Sequence, residues 1–562
     1  MKINTFALTS LSDAPFRDIG HQFAQLLSEI VNEVRKVKCD QGWPACDRCI
    51  STGRVCDGYG IWGGGGNAYY DRITHPKVLA RSTPMRHPIP TSVGVPNITP
   101  EEQGYLEWFL RRSVVKLPGI FGSEFWGTLV LQTSSREPAV FHAVLALSAV
   151  HKRDVFESDR PRRRYDILDE QEQFALQQYT KAIVGLKPYF SAQIKESLRT
   201  TLIACLVFVS LEFLHGHYKT GNIHLHYGLK LVDYYTSPFW PSYYSIDHCI
   251  IETFARLQLQ VQMLGLNTEH IYSIPRGLAI DIPTTKFHTV TQARQKLDCL
   301  LKEIFHLTQL RRQTALSQED PPSHELLKAQ SHIRAQLGSW FRILTASIVD
   351  LRVQTDTIAA FSYKFLSIYH TMAGIMVETC LETGRESIFE DFTCNFASLL
   401  AQAVDIQQAL QSPTTSNAIH GDGAAPFSSI ADIGWIPPLY YTALKCRVHR
   451  IRVHAIKLIS SKLHKEGIWD SRLAGCIARE VMQIEEKDFY RDFQIDDEFS
   501  IYESPRAEDI SLPALPEQYR VNEVKVMLPD DPTEKVKLIC RRQGGDGNWE
   551  IISKEFDVRE MN

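Results

Sequence analysis

From residue 101 onward, apolar residues recur at spacings of three and four for most of the chain, which commits it to a succession of helices. Val140, Ala143, Val144, Leu147 and Val150 share one face of a run opened by Ser135-Arg-Glu-Pro138. The next run, near 164–187, carries Ile167, Leu168, Phe174, Tyr179 and Ile183. Further helices are expected near 195–214, 218–235, 291–312, 323–347, 357–382, 395–411, 437–464 and 470–487. With no alternating strands between them, these predict an all-α region over 101–515, interrupted by a Ser/Thr/Gly/Pro-rich loop at 412–427. The longest apolar run, Leu202 to Leu214, contains Ser210 and Glu212 and is shorter than the ~18 residues a span needs, so no membrane partner is expected.

The period changes in the tail, 516–562. Val524, Val526 and Leu528 alternate with polar residues, as do Val536 and Leu538, and Trp549, Ile551 and Ile552 follow. Asp530-Asp-Pro and Gly544-Gly-Asp-Gly547 supply turns, so a small β-meander packed on the helical body is expected. At the other end, 1–34 carry a helical pattern over 13–34, with Asp13 as cap, Pro15 in the first turn and Phe16, Ile19, Phe23, Leu26, Leu27, Ile30 and Val34 as its apolar positions. That start has too weak an apolar centre for a secretory signal. Residues 61–100, with Gly63 to Gly66 and several prolines, read as a flexible linker.

Between these lies the segment that carries chemistry, 35–60. Of the 12 cysteines, four fall at Cys39-x6-Cys46-x2-Cys49-x6-Cys56; the other eight are scattered singly and read as small buried hydrophobes. Without an export signal the cluster reads as metal-binding rather than as a disulfide framework. Zinc takes four thiolates in a tetrahedron, and a C-x2-C pair presents two sulfurs from one turn. Gly42 and Pro44 favour a tight return between Cys39 and Cys46, and Gly53 does so between Cys49 and Cys56. Arg35, Lys36 and Lys38 precede Cys39, and a metal knot beside a short basic helix suits phosphate contact and major-groove entry.

The segment resembles the second two-thirds of the fungal zinc binuclear cluster DNA-binding domain, whose pattern is C-x2-C-x6-C-x6-C-x2-C-x6-C. Cys39, Cys46, Cys49 and Cys56 match its third to sixth cysteines, with Lys38-Cys39-Asp40, Pro44 and Cys56-Asp57-Gly58-Tyr59 alongside. The resemblance implies a zinc cofactor, a nuclear location and double-stranded DNA as partner, with CGG-type half-sites upstream of genes transcribed by RNA polymerase II. It makes Lys36 the reader of base edges and Arg35, Lys38, Arg48 and Arg54 the phosphate contacts. Residues 101 to about 555 resemble the companion fungal-specific regulatory region, in Glu137 to His151, around Tyr179, from Leu202, near Ile436 and near Lys465. For that region the family implies restraint of DNA binding, receipt of signals and contact with the transcription machinery or co-regulators. The expected architecture is therefore mainly α: a zinc module, a linker, a helical regulatory domain and a short β-meander.

The pattern departs from the family at its start. The first C-x2-C belongs at 29 and 32, where this chain has Glu29 and Asn32, followed by Glu33. In the family the first and fourth cysteines bridge two zincs. Without the first pair, one zinc keeps Cys39 and Cys46 and the other Cys46, Cys49 and Cys56, and neither set fills a tetrahedron; a single zinc on all four remaining cysteines is the alternative, with the helix carrying Lys36 no longer pinned at its start. Structural zinc provides ~10–16 kcal/mol of folding free energy in small fingers, so the loss loosens the module. Two readings stand. In one, the first 34 residues come from a misplaced exon boundary, with an authentic C-x2-C encoded just upstream of codon 35. In the other, DNA binding is lost and the protein works through the contacts of its helical body.

Charge narrows the choice little. The chain is globally acidic, at −4, which excludes a uniformly basic nucleic-acid coat. Residues 31–60 carry five basic against four acidic side chains, so affinity for DNA rests on several phosphate contacts or on two half-sites. Residues 57–100 show no heptads, which leaves a homodimer open. His215, His217, His224 and His226 lack an evident fixed geometry or carboxylate partner and read as helix-end packing. His324-Glu325 fails as a zincin motif because Lys328 replaces the second His, and Gly63–Gly66 is followed by no Lys-Ser/Thr. No G-x-S-x-G occurs, so no enzyme is expected. The basic runs 35–38 and Arg160-Pro-Arg-Arg-Arg164 are candidate nuclear import signals.

Overall fold

Helices dominate the computed structural model, which describes residues 98–157, 170–191, 195–236, 247–266, 285–314, 321–382, 384–411, 429–493, 495–510, 512–529, 535–544 and 547–558. In chain order the principal helices are α1 (Pro100–Trp108), α2 (Pro138–Glu157), α3 (Glu170–Ser191), α4 (Lys195–His215), α5 (Tyr218–Thr236), α6 (His248–Met263) and α7 (Val290–Thr314). There follow α8 (His324–Ala346), α9 (Thr357–Thr379), α10 (Thr393–Gln411), α11 (Ile436–Lys445), α12 (His449–Ser460) and α13 (Ser471–Glu486). Short helical turns link α1 to α2.

The helix starts follow capping chemistry. At α1, Thr99 accepts from the Glu102 amide at 3.2 Å while the Glu102 carboxylate accepts from the Thr99 amide at 3.0 Å, so two orphan donors are satisfied reciprocally. Ser323, Asp356 and Asp470 cap α8, α9 and α13 through their side-chain oxygens alone, which accept from amides of the first turn.

The described chain forms two compact units. The first comprises residues up to 110, 128–150 and 170–208. Its core is the face of α2 expected from the sequence, with Val140, Ala143, Val144 and Leu147 fully buried. Tyr105 stacks on Phe174 at 4.2 Å, and Tyr179 meets Phe208 edge-on at 4.9 Å. Gly185 lets α3 approach α2 closely: a Cβ there would lie 3.2 Å from the Ala139 Cβ. Glu102 ties the unit together, accepting from Gln178 at 3.0 Å and Lys181 at 3.1 Å.

The second unit holds residues 111–127, 151–157 and the described residues from 209 onward. Here α7, α8 and α9 pack around Trp340, whose Nε1 donates to the Ala293 carbonyl at 2.8 Å and whose ring stacks on His370 at 5.5 Å. A three-stranded sheet joins β1 (Ser429–Ile430) in parallel to β2 (Lys465–Glu466), which pairs antiparallel with β3 (Trp469–Asp470). Glu466 is fully buried and anchors this corner. Its carboxylate accepts from the Gly434 amide at 2.7 Å and the Trp435 amide at 2.9 Å, at the start of α11. The tail forms the expected antiparallel meander of β4 (Glu523–Met527), β5 (Val536–Gln543) and β6 (Trp549–Phe556). Val536, Leu538 and Cys540 are buried beneath it, and Lys554 pairs with Glu480 of α13.

Four features differ from expectation. The helix anticipated over 437–464 is two helices, α11 and α12, because Cys446 turns extended (φ −64°, ψ 142°) and aims Arg447 into the interior. Helix α6 has no counterpart in the sequence reading: its buried face includes Arg256, Gln258 and Gln260, which blur the apolar period. Gln260 is used to hold the small sheet, donating to the Ala431 carbonyl at 3.2 Å and accepting from the Ile468 amide at 3.3 Å. That sheet lies inside the region expected to be all-α. Finally, the window Ser197–His215 is apolar enough to cross a membrane, with mean hydropathy 1.7, but 94% of it is buried within the protein, as in a core helix.

Candidate functional site

Every residue that the sequence marks for metal or DNA (Cys39, Cys46, Cys49, Cys56, Arg35, Lys36, Lys38, Arg48 and Arg54) lies outside the described residues. So do the expected helix 13–34, the linker through residue 97, the Arg160–Arg164 run and the loop 412–427. The donor chemistry of the cluster, four thiols within eighteen residues, suits zinc. Of the eight other cysteines, Cys205, Cys249, Cys380, Cys446, Cys476 and Cys540 are buried, as small hydrophobes should be, Cys299 is half-buried and Cys394 exposed. Burial pushes the Cys380 and Cys540 thiols up to about 12, which keeps both protonated and unreactive.

The histidine-rich turn after α4 has the carboxylate partner that the sequence did not reveal: His217 Nδ1 lies 2.8 Å from Glu212, and the His215 ring meets that of His217 at 4.3 Å. Among the described residues, no group of three His, Cys, Asp or Glu side chains is arranged to hold a metal.

A cleft of about 420 Å³ opens in the second unit between the 120–121 turn, the start of α7 and the start of α9. Its polar groups are largely engaged in the fold. Thr291 donates to the Phe121 carbonyl at 3.3 Å, Ser362 to the Ile120 carbonyl at 3.4 Å, and Asp356 caps α9. Asp350 pairs with Lys286 at 2.8 Å.

Charge is concentrated deeper, in two buried clusters. In the first, Asp432 receives Arg294 at 2.5 Å and Arg256 at 3.4 Å. Burial alone would raise the Asp432 carboxyl, but the two guanidiniums hold it below the usual carboxylate range. In the second, Glu485 accepts from Arg452 at 2.5 Å, Arg447 at 3.0 Å and the Val521 amide at 2.7 Å. Arg447 also pairs with Glu386, and Arg452 with Glu486 at 3.2 Å. Burial opposes the charged form of Glu485 too, and again the arginines prevail. These clusters join α6 and α7 to the small sheet, and α12 and α13 to the tail. Their chemistry is cross-linking of the fold.

The same helix α12 presents a second cationic face outward, which the sequence reading did not single out. Its signal was legible: His449, Arg450, His454 and Lys457 within nine residues, at helical spacing. Residues 495–503 lie across that face. His449 is held between Glu486, 2.7 Å from Nδ1, and Asp497, 3.2 Å from Nε2. Burial alone would lower its pKa, but these carboxylates carry it up to about 9.

Residues 105–264 match the fungal specific transcription factor domain family. Transcription regulator lscL of Purpureocillium lilacinum is 29% identical over 221 residues, 37% of this chain and 48% of that protein. The aspercryptin biosynthesis cluster-specific transcription regulator atnN of Emericella nidulans is 32% identical over 222 residues, 36% of this chain and 34% of that protein. The chain thus spans about half the length of the first relative and a third of the second. No solved structure matches it.

Proposed function

We propose that the chain is a nuclear transcription regulator, not an enzyme, that reads duplex DNA through a zinc-held module at 35–60 and is tuned by its helical region. One observation carries this reading: a segment with the closing cysteines of a zinc binuclear cluster stands in the same chain as a segment, 105–264, that matches the fungal specific transcription factor domain. Zinc, when bound, ties the loops between cysteines into one knot. The chain's own residues then divide the work, with Lys36 on the O6 and N7 acceptors of guanine and Arg35, Lys38, Arg48 and Arg54 on phosphates. By analogy with the regulator atnN, the targets are the genes of one biosynthetic cluster.

Glu29 and Asn32, in place of the family's first cysteine pair, favour a second reading. In it the cluster no longer grips DNA, and the protein acts on related factors through its helical surface.

Variants separate the two. Lys36→Ala relaxes base preference at a CGG-containing duplex, whereas Lys38→Ala weakens every sequence alike and flattens the salt dependence. If both variants retain CGG duplex as the parent chain does, the assignment of these lysines fails.

A further inference from the structure

Helix α12 reads His449-Arg-Ile-Arg-Val-His-Ala-Ile-Lys-Leu-Ile-Ser460. At about 100° per residue, His449, Arg450, His454 and Lys457 fall within about 140° of its circumference. The opposite side buries Ile451, Arg452, Ala455 and Ile459 in the core. The outward face is covered by a strap, residues 495–503, which forms no strand pairing: it runs without a turn over 495–500 and closes in a turn at 500–503, where the Glu503 amide donates to the Ser500 carbonyl at 2.9 Å. The strap shows the helix its alternate carbonyls. Lys457 donates to those of Asp497 and Phe499, His454 Nε2 to that of Ile501 at 2.6 Å and Arg450 to that of Glu503 at 3.3 Å.

Two side chains add selectivity to this backbone recognition. The Phe499 ring lies under the Arg450 guanidinium, with the Lys457 ammonium 3.9 Å from its centroid and the His454 ring edge-on at 5.4 Å. Two residues earlier, the Asp497 carboxylate meets His449. The strap itself contributes little to the core. Asp496, Asp497, Glu498, Ser500 and Tyr502 are exposed, and Phe499 and Ile501 are only half-buried.

We propose that the outward face of α12 is a peptide-binding site for an extended segment bearing an acid two residues ahead of an aromatic ring, and that the strap occupies it in cis and exchanges with such a segment in trans. Side-chain N–H donors meeting main-chain carbonyls, with two cations on one ring, fit a peptide; a DNA backbone supplies the charge but not the ring. The strap's charged contact, Asp497 on His449, has a half-exposed carboxylate, and the Lys457 ammonium reaches the strap at its exposed edge, so added salt weakens these contacts. The site stands independently of duplex binding at 35–60.

Two measurements on the full chain test it. In the first, a glutamate-specific protease acts on the unaltered protein, with cleavage at Glu498 and Glu503 followed by mass spectrometry. Raising salt from about 0.05 M to about 0.5 M accelerates these cuts several-fold relative to a standard peptide containing the same sites, because the Debye length shrinks below the span of the contacts. A strap cut at the same relative rate at both salts overturns the proposal. In the second, a fluorescent peptide of residues 495–506 is titrated into the parent chain and into the double variant Asp497→Asn/Phe499→Ala. The variant, with its own strap loosened, binds the peptide about tenfold or more tightly than the parent, a difference of about 1.4 kcal/mol, and adding Lys457→Glu removes the gain. Equal binding by parent and double variant, or displacement of the peptide by duplex DNA as effectively as by unlabelled peptide, contradicts the site. If the variants do not fold, the protease measurement on the unaltered chain decides.

Discussion

Arg452 and Glu485 meet directly in the core: the guanidinium donates to the carboxylate at 2.5 Å, and both side chains are at most 2% exposed. Arg452 also donates through Nε to the Ala443 carbonyl at 2.8 Å, near the end of α11, so the pair ties α12 back onto α11. Removing one member of such a buried pair is severe, since the other is left charged without full compensation. Glu485→Met should cost about 3–5 kcal/mol in denaturant unfolding. Adding Arg452→Met should recover part of that loss, and a double variant worse than the sum of the singles contradicts the pairing.

Glycine is required at 467 by both conformation and space. Its φ is +59°, and an added Cβ would lie 3.0 Å from the Ala431 carbonyl oxygen and 2.0 Å from Gln260 Oε1. The Gln260 side chain can give way; the backbone carbonyl cannot, because the Gly467 amide donates to Ile430 at 2.7 Å in the same sheet corner. Gly467→Ala should therefore destabilise by about 2 kcal/mol or more. Gly338→Ala, in the middle of α8 with open space around it, should instead stabilise by up to about 1 kcal/mol. Equal denaturation midpoints for the two variants are the result that sinks this account.

Two histidines on α12 give stability opposite slopes with pH. The folded-state pKa of His449 is raised to about 9 from an ordinary 6.5, so its contribution is complete below pH 6.5 and disappears as pH rises through 9. His454 moves the other way. Burial lowers it to about 4, so its contribution is complete above pH 6.5 and disappears as pH falls towards 4. Urea melts of the parent should show a loss of about 2–3 kcal/mol from His449 between neutral and alkaline pH, and His449→Gln should flatten that limb alone. An alkaline limb unchanged in the variant means that the carboxylates do not hold the imidazolium.

How far the sequence reveals this fold depends on where each element finds its partners. Helix α2 is legible because Val140, Val144 and Leu147 face an apolar interior, and burial there follows the helical period. Helix α6 is not, because Arg256 and Gln260 are buried against Asp432 and Ala431, about 170 residues away in sequence, and polar residues buried by distant partners leave no local pattern. The two-residue strands β1 to β3 are too short for alternation to register. The break at 446–448 contains neither Pro nor Gly; it is imposed by Glu485 and Glu386 pulling Arg447 inward. The candidate metal and DNA residues have the opposite character: their spacing and neighbours are wholly local, so the sequence alone carries them.

The measurement that bears most directly on the proposed function is retention of a CGG-containing duplex by the purified full chain, with bound zinc quantified on the same sample. The account predicts zinc in the protein, retention of the CGG duplex over a scrambled one, and loss of both when a chelator strips the metal. A chain that carries no zinc and retains neither duplex contradicts it, and leaves the helical body as the working part of the molecule.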